Sequence, residues 1–337
     1  MENLAGVAAG VWAEVRANDF RERAVALVDE IEAARPDVIG LQEVARFLTL
    51  QLNQANGSFG ITGVVDFQTI LENEMRARGL PHFFLAVQEN TKVGVPVAVA
   101  DFGKGFVPTR QVQLTIRDAV LVRKGLDVRK VSQGNYGAAM SLGPDPFGSP
   151  IEMKRGWIKV SAIVNGMPYH FVSTHLEMQR FSPIQLLQTQ ELLTEIVADL
   201  GGVTVLMGDF NSDAAASSGD PTWTPTYEQI RAAGFDDAWI LAHAGGIPGG
   251  ISDGLTCGHA SDLRNPHPTF NQRIDFIFLR ASGRLGTDDG VFPGLVEVEM
   301  TGADPAHRTA PNGLWPSDHA GLVATLGLER GRFKELR

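Results

Sequence analysis

The strongest constraint on this chain is a recurring pattern: short apolar runs that end, or begin, on a group which water would ordinarily keep. DVIGLQEV carries Glu43 near its end and PYHFVSTHLE carries His175. VTVLMGDFNSD runs into Asp209 and Asn211, and PSDHAGLVATLGL opens on Asp318 and His319. RIDFIFLR sets Asp275 between two apolar residues. Such runs read as buried strands. A carboxylate beside one is costly to bury unless it is paired or binds a cation. Strand ends meet at a sheet rim, so residues far apart in sequence can converge there.

The stretches between these runs set the fold class. From Phe20 to Arg35, Ala24, Leu27, Val28 and Ile31 recur at helical spacing, and Pro36 ends the segment. Residues 64–78 predict a second amphipathic helix, stopped by Gly79. FFLAVQEN, VQLTI, AVLVRKG and WIKVSAIVNG read as separate short strands, with NGMP a turn between two of them. Residues 183–199 predict a helix with Pro183 at its start and Gly201 beyond its end. TPTYEQIRAAG reads as a short helix closed by Gly234, GLVEVEM as another strand, and residues 243–269 as a long loop. Loops 47–60, 91–110 and 243–270 are expected to shape a pocket. The whole is an α/β (α+β) pattern. With no repeat or linker in view, residues 1–337 read as one domain.

Composition narrows the function. A length of 337 residues with 44% hydrophobic content supports a substantial core. No apolar run is long enough to cross a bilayer, and MENLAGVAAGVWAEV lacks the basic start and long apolar stretch of a signal peptide. Cys257 is the single cysteine, so an internal disulfide is impossible, and it reads as an inert thiol. The net charge of −10 disfavours a protein that tracks long nucleic acid. Nothing marks a subunit interface, so a soluble monomer is the expectation.

Each polar cluster has a chemical and a structural reading. Asp209 and Asn211 are two apart and share a side in extended chain, where they can hold a water, a phosphate oxygen or a hard cation; the alternative is a strand-end turn. Asp318 and His319 offer a carboxylate for a metal and an imidazole for proton transfer; the alternative is a cap beside an exposed histidine. A lone His175 would be hydrogen-bonded to backbone. Asp275 would either orient a histidine or pair with Arg273.

Taken in order, LQEV, STHLE, GDFN, RIDFIF and SDH resemble the endonuclease/exonuclease/phosphatase superfamily, which includes DNase I-like nucleases, bacterial sphingomyelinases and inositol-phosphate phosphatases. The resemblance spans about residue 20 to residue 326. It implies a four-layer α/β sandwich of two packed, mainly antiparallel sheets flanked by helices. It implies a divalent-metal-dependent phosphoester hydrolase working by direct attack of water, with Mg²⁺ as cofactor and Mn²⁺ or Ca²⁺ as alternatives. Residue by residue, Glu43 and Asp318 resemble metal ligands, and Asp209 the acid that orients or deprotonates water. Asn211 resembles the amide that holds phosphate, His319 the histidine that moves protons, and Asp275 its acidic partner. His175 resembles the histidine that contacts phosphoryl oxygens or protonates the leaving group. Asp118, in RDAVLVR, stands where an acid supports that histidine; pairing with Arg117 or Arg123 is the alternative. Arg155, in KRGW, is either a phosphate contact or an ordinary surface arginine.

The sequence departs from the family at its start. Members open with a strand ending in an asparagine. Here Asn3 precedes a stretch that reads as helical, so the first strand is expected to be missing. The reading is that the native start lies upstream, where a secretion signal would also sit. A small or lipid phosphoester is favoured over DNA as substrate. A non-specific endonuclease and a non-catalytic relative are the alternatives.

Overall fold

The computed structural model describes residues 2–101, 103, 105–144, 150–243, 254–281 and 291–330. Helices α1 (Glu2–Ala17) and α2 (Phe20–Ala34) open it. Asp19 caps α2 by accepting from the Arg21 amide, and Arg35 closes it in the left-handed region before Pro36. Strand β1 (Val38–Leu41) leads to the hairpin β2 (Arg46–Asn53) and β3 (Ser58–Asp66), then to α3 (Phe67–Ala77). A long hairpin follows, β4 (His82–Asp101) and β5 (Phe106–Arg123), and then β6 (Asp127–Asn135). Strands β7 (Met140–Pro144) and β8 (Pro150–Met153) pair with each other. Strands β9 (Gly156–Val164) and β10 (Met167–His175) turn at Asn165 and Gly166, both at positive φ as the NGMP turn requires. The rest comprises α4 (Ser182–Glu191), β11 (Val203–Asp209), α5 (Thr226–Ala232), β12 (Asp236–Asp237), α6 (Ala238–His243), β13 (Asp275–Ala281), β14 (Val291–Thr301) and β15 (Gly321–Arg330).

Two sheets result. In the first, β5 lies between β4 on one side and β1 and β2 on the other, with β3 outermost, and every pair is antiparallel. The second runs β12-β13-β11-β10-β9-β6, and only β10 and β11 are parallel. Alternation along β5 explains the layering. Ala119 and Leu121 face α2 and α3 and pack with Phe20, Ala24, Val28, Leu71 and Met75. Val120 and Val122 face the other sheet and meet Ile158 and Val160 of β9. On the far side, Val172, Leu206, Phe276 and Phe278 pack against Leu192, Ile196 and Ile230. The order helix, sheet, sheet, helix is the expected four-layer sandwich. Gly40 sits against the other sheet: a Cβ there would lie 2.7 Å from Ser173 Oγ. The hairpin of β14 and β15 packs Val298, Ala324 and Leu326 on β10, β11 and β13.

Several expectations need correction. Residues 64–66 finish β3, and α3 begins at Phe67, because Asp66 accepts from the Gln68 and Thr69 amides as N-cap. VQLTI and AVLVRKG are one strand, β5. Residues 47–60 and most of 91–110 are hairpins rather than loops, while 244–253 lie outside the described residues. The helix expected over 183–199 ends at Glu191 and widens into a π turn, Leu192–Ile196, that places Leu192, Ile196 and Val197 in the core. Among the described residues no helix is long and apolar enough to cross a membrane.

Candidate active site

Strand register assembles the site. His175, Asp209 and Asp275 are direct cross-strand partners on β10, β11 and β13, so they form one row along a sheet rim. The row depends on Gly208. Its φ of 139° is open to glycine, and a Cβ there would lie 1.9 Å from the Thr174 carbonyl oxygen. Within the row, His175 Nε2 lies 3.4 Å from Asp209 Oδ2. Asp209 Oδ1 accepts from the Asn211 amide at 2.8 Å, and Asn211 holds a positive φ of 49°. Asn211 Nδ2 donates to the Leu176 carbonyl at 3.0 Å, which leaves its other amide hydrogen and its Oδ1 for a ligand.

The SDH segment joins this row from the side. His319 Nδ1 lies 2.9 Å from Asp275 Oδ2, whereas Arg273 pairs with Asp237 at 2.5 Å, not with Asp275. Thr256 ties the two strands together: its hydroxyl accepts from the Asp275 amide at 3.2 Å, and its carbonyl accepts from the Ala320 amide at 2.7 Å. Arg23 of α2 donates to the Pro316 carbonyl and so fastens the segment to the helix layer. Asp318 is exposed beside His319.

The opposite wall comes from the first sheet. Glu43 follows β1 in a left-handed conformation, φ 56°, and its amide donates to Asp118 Oδ1 at 3.3 Å. Asp118 of β5 is fully buried, accepts from Asn90 Nδ2 at 2.6 Å, and lies 3.9 Å from His175 Nδ1. Its neighbours pair elsewhere, Arg117 with Asp66 and Arg123 with Asp37. Arg155, which the sequence left as either a phosphate contact or a surface arginine, is 5% exposed. Its Nη1 lies 3.0 Å and 2.8 Å from the two His175 ring nitrogens. A neutral imidazole offers one in-plane lone pair, so only one of these two contacts can be a hydrogen bond. Nη1 also lies 3.9 Å from Glu43 Oε1, and Nη2 donates to Glu177 Oε1 at 3.2 Å.

Electrostatics separate these groups. Burial, with Asp275 adding repulsion, pushes Asp209 up to about 8. Burial raises Asp118 to about 7. Loss of solvation raises Glu43 and Arg155 opposes it; the side chain is 63% exposed, so water at the cleft mouth tempers that rise. Burial and the Arg155 charge hold His175 well below the usual histidine range, so it is neutral. Burial alone would lower His319, but the Asp275 charge and hydrogen bond outweigh it and hold the imidazole protonated far above its ordinary range. Donor atoms of Asp209, Asp275 and His319 lie within 4.8 Å of one another, the one metal-competent group of this kind among the described residues.

Sequence reasoning missed the braces. Glu177, fully buried two residues after His175, binds Arg155. Gln185 donates to the carbonyls of Glu177, Phe210 and Asn211, and so ties the ends of β10 and β11 to α4. Polar residues on the inward face of a helix were the available signal. Asn3 is exposed in the first turn of α1, and no hydrogen bond or ion pair among the described residues joins it to the site.

The chain matches the family model described as "Endonuclease/Exonuclease/phosphatase family" over residues 3–319. No curated protein matches it. Among solved structures, an endonuclease/exonuclease/phosphatase family protein from Leptotrichia buccalis C-1013-b is 17% identical; the alignment covers 91% of this chain and 93% of that one, with a TM-score of 0.55. A humanized D. rerio TDP2 is 16% identical, covering 92% and 93%, with a TM-score of 0.55. D. rerio TDP2 complexed with single-strand DNA product is 16% identical, covering 91% and 92%, with a TM-score of 0.53. These likenesses establish the fold.

Proposed function

Since this chain belongs to the endonuclease/exonuclease/phosphatase family, a family of phosphoester hydrolases, we propose that it is a monomeric, divalent-metal-dependent enzyme that hydrolyses a small or lipid phosphoester by direct attack of water. The observation that carries the reading is the in-register row of His175, Asp209 and Asp275, with His319 locked on Asp275. That row sets a high-pKa acid beside a neutral and a protonated imidazole.

Carboxylates gathered at one sheet rim suit a hard cation held by oxygen and water. Glu43 and Asp318, both exposed at the cleft mouth, would hold Mg²⁺, with Mn²⁺ or Ca²⁺ as alternatives. When bound, the ion supplies charge neutralisation as the five-coordinate phosphorus forms. The protein's own groups do the rest. Asp209 orients the water and takes its proton. Asn211, neutral His175 and Arg155 hold the phosphoryl oxygens, and Asp118 backs His175. His319, kept protonated by Asp275, gives a proton to the leaving oxygen. A basic groove for long DNA would oppose the net charge of −10, which favours a compact substrate.

The test is hydrolysis of bis-p-nitrophenyl phosphate with and without Mg²⁺ or Mn²⁺, beside Asp209→Asn and His319→Ala. The expected result is metal-dependent turnover that each substitution lowers by about 10²-fold or more. Turnover that survives both substitutions, or none in folded wild-type protein, would overturn it.

A further inference from the structure

Glu177 has no place in the proton transfers above, yet it is fully enclosed beside the site, 0% exposed in the loop leaving β10. An enclosed carboxylate persists only with partners. Arg155 Nη2 donates to its Oε1 at 3.2 Å, and the Met178 amide donates to the same oxygen at 3.0 Å. The loop that carries it is equally fixed: the Glu177 amide donates to Gln188 Oε1 at 2.8 Å, and Gln185 donates to the Glu177 carbonyl at 2.6 Å. Both glutamines belong to α4, so a rigid helix sets the position of this charge.

What that charge holds matters more. Arg155 is drawn two ways, to Glu177 at 3.2 Å and to Glu43 at 3.9 Å. Its Nη1 lies against the two ring nitrogens of His175, and its Nε is buried with no hydrogen-bond partner among the described residues. A guanidinium offers five donors in a fixed plane. Here a strong anchor at one edge leaves donors uncommitted beside His175 and Glu43. A buried arginine with donors to spare at the rim of an acidic cleft is matched to an anionic oxygen.

We propose that Glu177 is a positioning residue: it anchors one edge of Arg155 so that the other edge meets a phosphoryl oxygen instead of collapsing onto Glu43. The role rests on the phosphoester reading above. Without the Glu177 charge, Glu43 becomes the nearest strong acceptor, and the arginine turns towards it and away from the substrate. The consequence is weaker phosphate binding rather than slower chemistry.

Glu177→Gln keeps the shape and removes the charge. The expected outcome is a KM for bis-p-nitrophenyl phosphate raised about tenfold with kcat within about threefold, and a similar weakening of inorganic phosphate binding by calorimetry. Arg155→Lys should raise KM comparably, and Glu177→Gln added to it should cost less than about twofold more, because both changes remove one contact. If Glu177→Gln fails to fold, Glu177→Asp, which keeps charge and shortens reach, should show the same KM effect to a smaller degree. A fall in kcat with KM and phosphate affinity unchanged would overturn the proposal, as would additive effects of the two substitutions. Phosphate binding needs no turnover, so a wild-type protein without hydrolase activity would sink the functional reading while the binding comparison still decides the role of Glu177.

Discussion

At Asp118 and Asp209, burial makes ionisation itself a source of instability. Both carboxyls are lifted far above the ordinary aspartate range, to about 7 and about 8. A carboxyl whose folded value exceeds its unfolded one stabilises the fold fully below the unfolded value and loses that contribution as pH rises through the folded one. Metal-free protein should therefore melt lower at pH 9 than at pH 6, and Asp209→Asn should flatten the slope. Thermal scans in chelator check this; a wild-type slope unchanged by the substitution would count against it. His319 is shifted in the same direction, towards keeping its proton, though here the protonated form is the charged one. Asp275 keeps it protonated, so imidazole NMR should show no titration up to pH 8 in wild-type protein, and a return towards about 6.5 in Asp275→Asn. An unaltered titration in that variant would remove Asp275 as the cause. The residues in this chemistry were legible because each sits against an apolar run where polarity is costly. Arg155 was legible only as one of two readings and Glu177 not at all: KRGW and HLE look like ordinary surface sequence, and only the fold shows both side chains enclosed.

Among elements, the pair β10 and β11 matters most, since it is the parallel join that sets His175 against Asp209. Gly208→Ala would drive a Cβ into the Thr174 carbonyl at a backbone angle closed to alanine. A loss of about 3 kcal/mol or more in urea unfolding is expected; a loss under about 1 kcal/mol would mean the strand end adjusts freely. Helix and strand identity was largely readable, because α2 and α5 follow helical spacing and β5 and β10 are dense in β-formers. The long hairpin was not. Pro96 and Pro108 interrupt its pattern, yet Pro96 lies on β4, which pairs with β5 alone, and Pro108 lies on β5 outside the stretch Arg110–Thr115 that pairs with β2, so each has a side free of a ladder. The start of α3 was misread because Val64 and Val65 continue the helical period backwards, while Asp66 both caps the helix and pairs with Arg117.

For the whole molecule, the proposed site straddles two sheets. Glu43 and Asp118 ride on one; Arg155, His175, Asp209 and Asp275 belong to the other. Packing relates them, together with side-chain hydrogen bonds between the sheets. Gly40 and Ser173 touch at that seam, with Gln42 Nε2 donating to Ser173 Oγ at 3.0 Å close by. Gly40→Ala should push the sheets apart, costing about 1–3 kcal/mol and lowering turnover. Adding Ser173→Ala, which removes the nearest atom, should recover part of both. A double variant no better than the single one would show that the seam does not set the spacing. Because no strand ladder among the described residues crosses that seam, the reaction centre acts as a vernier between two plates. A shift too small to disturb either plate's own ladder still changes how far Glu43 stands from the row of acids opposite, so catalytic competence reports the alignment of the halves rather than the integrity of each.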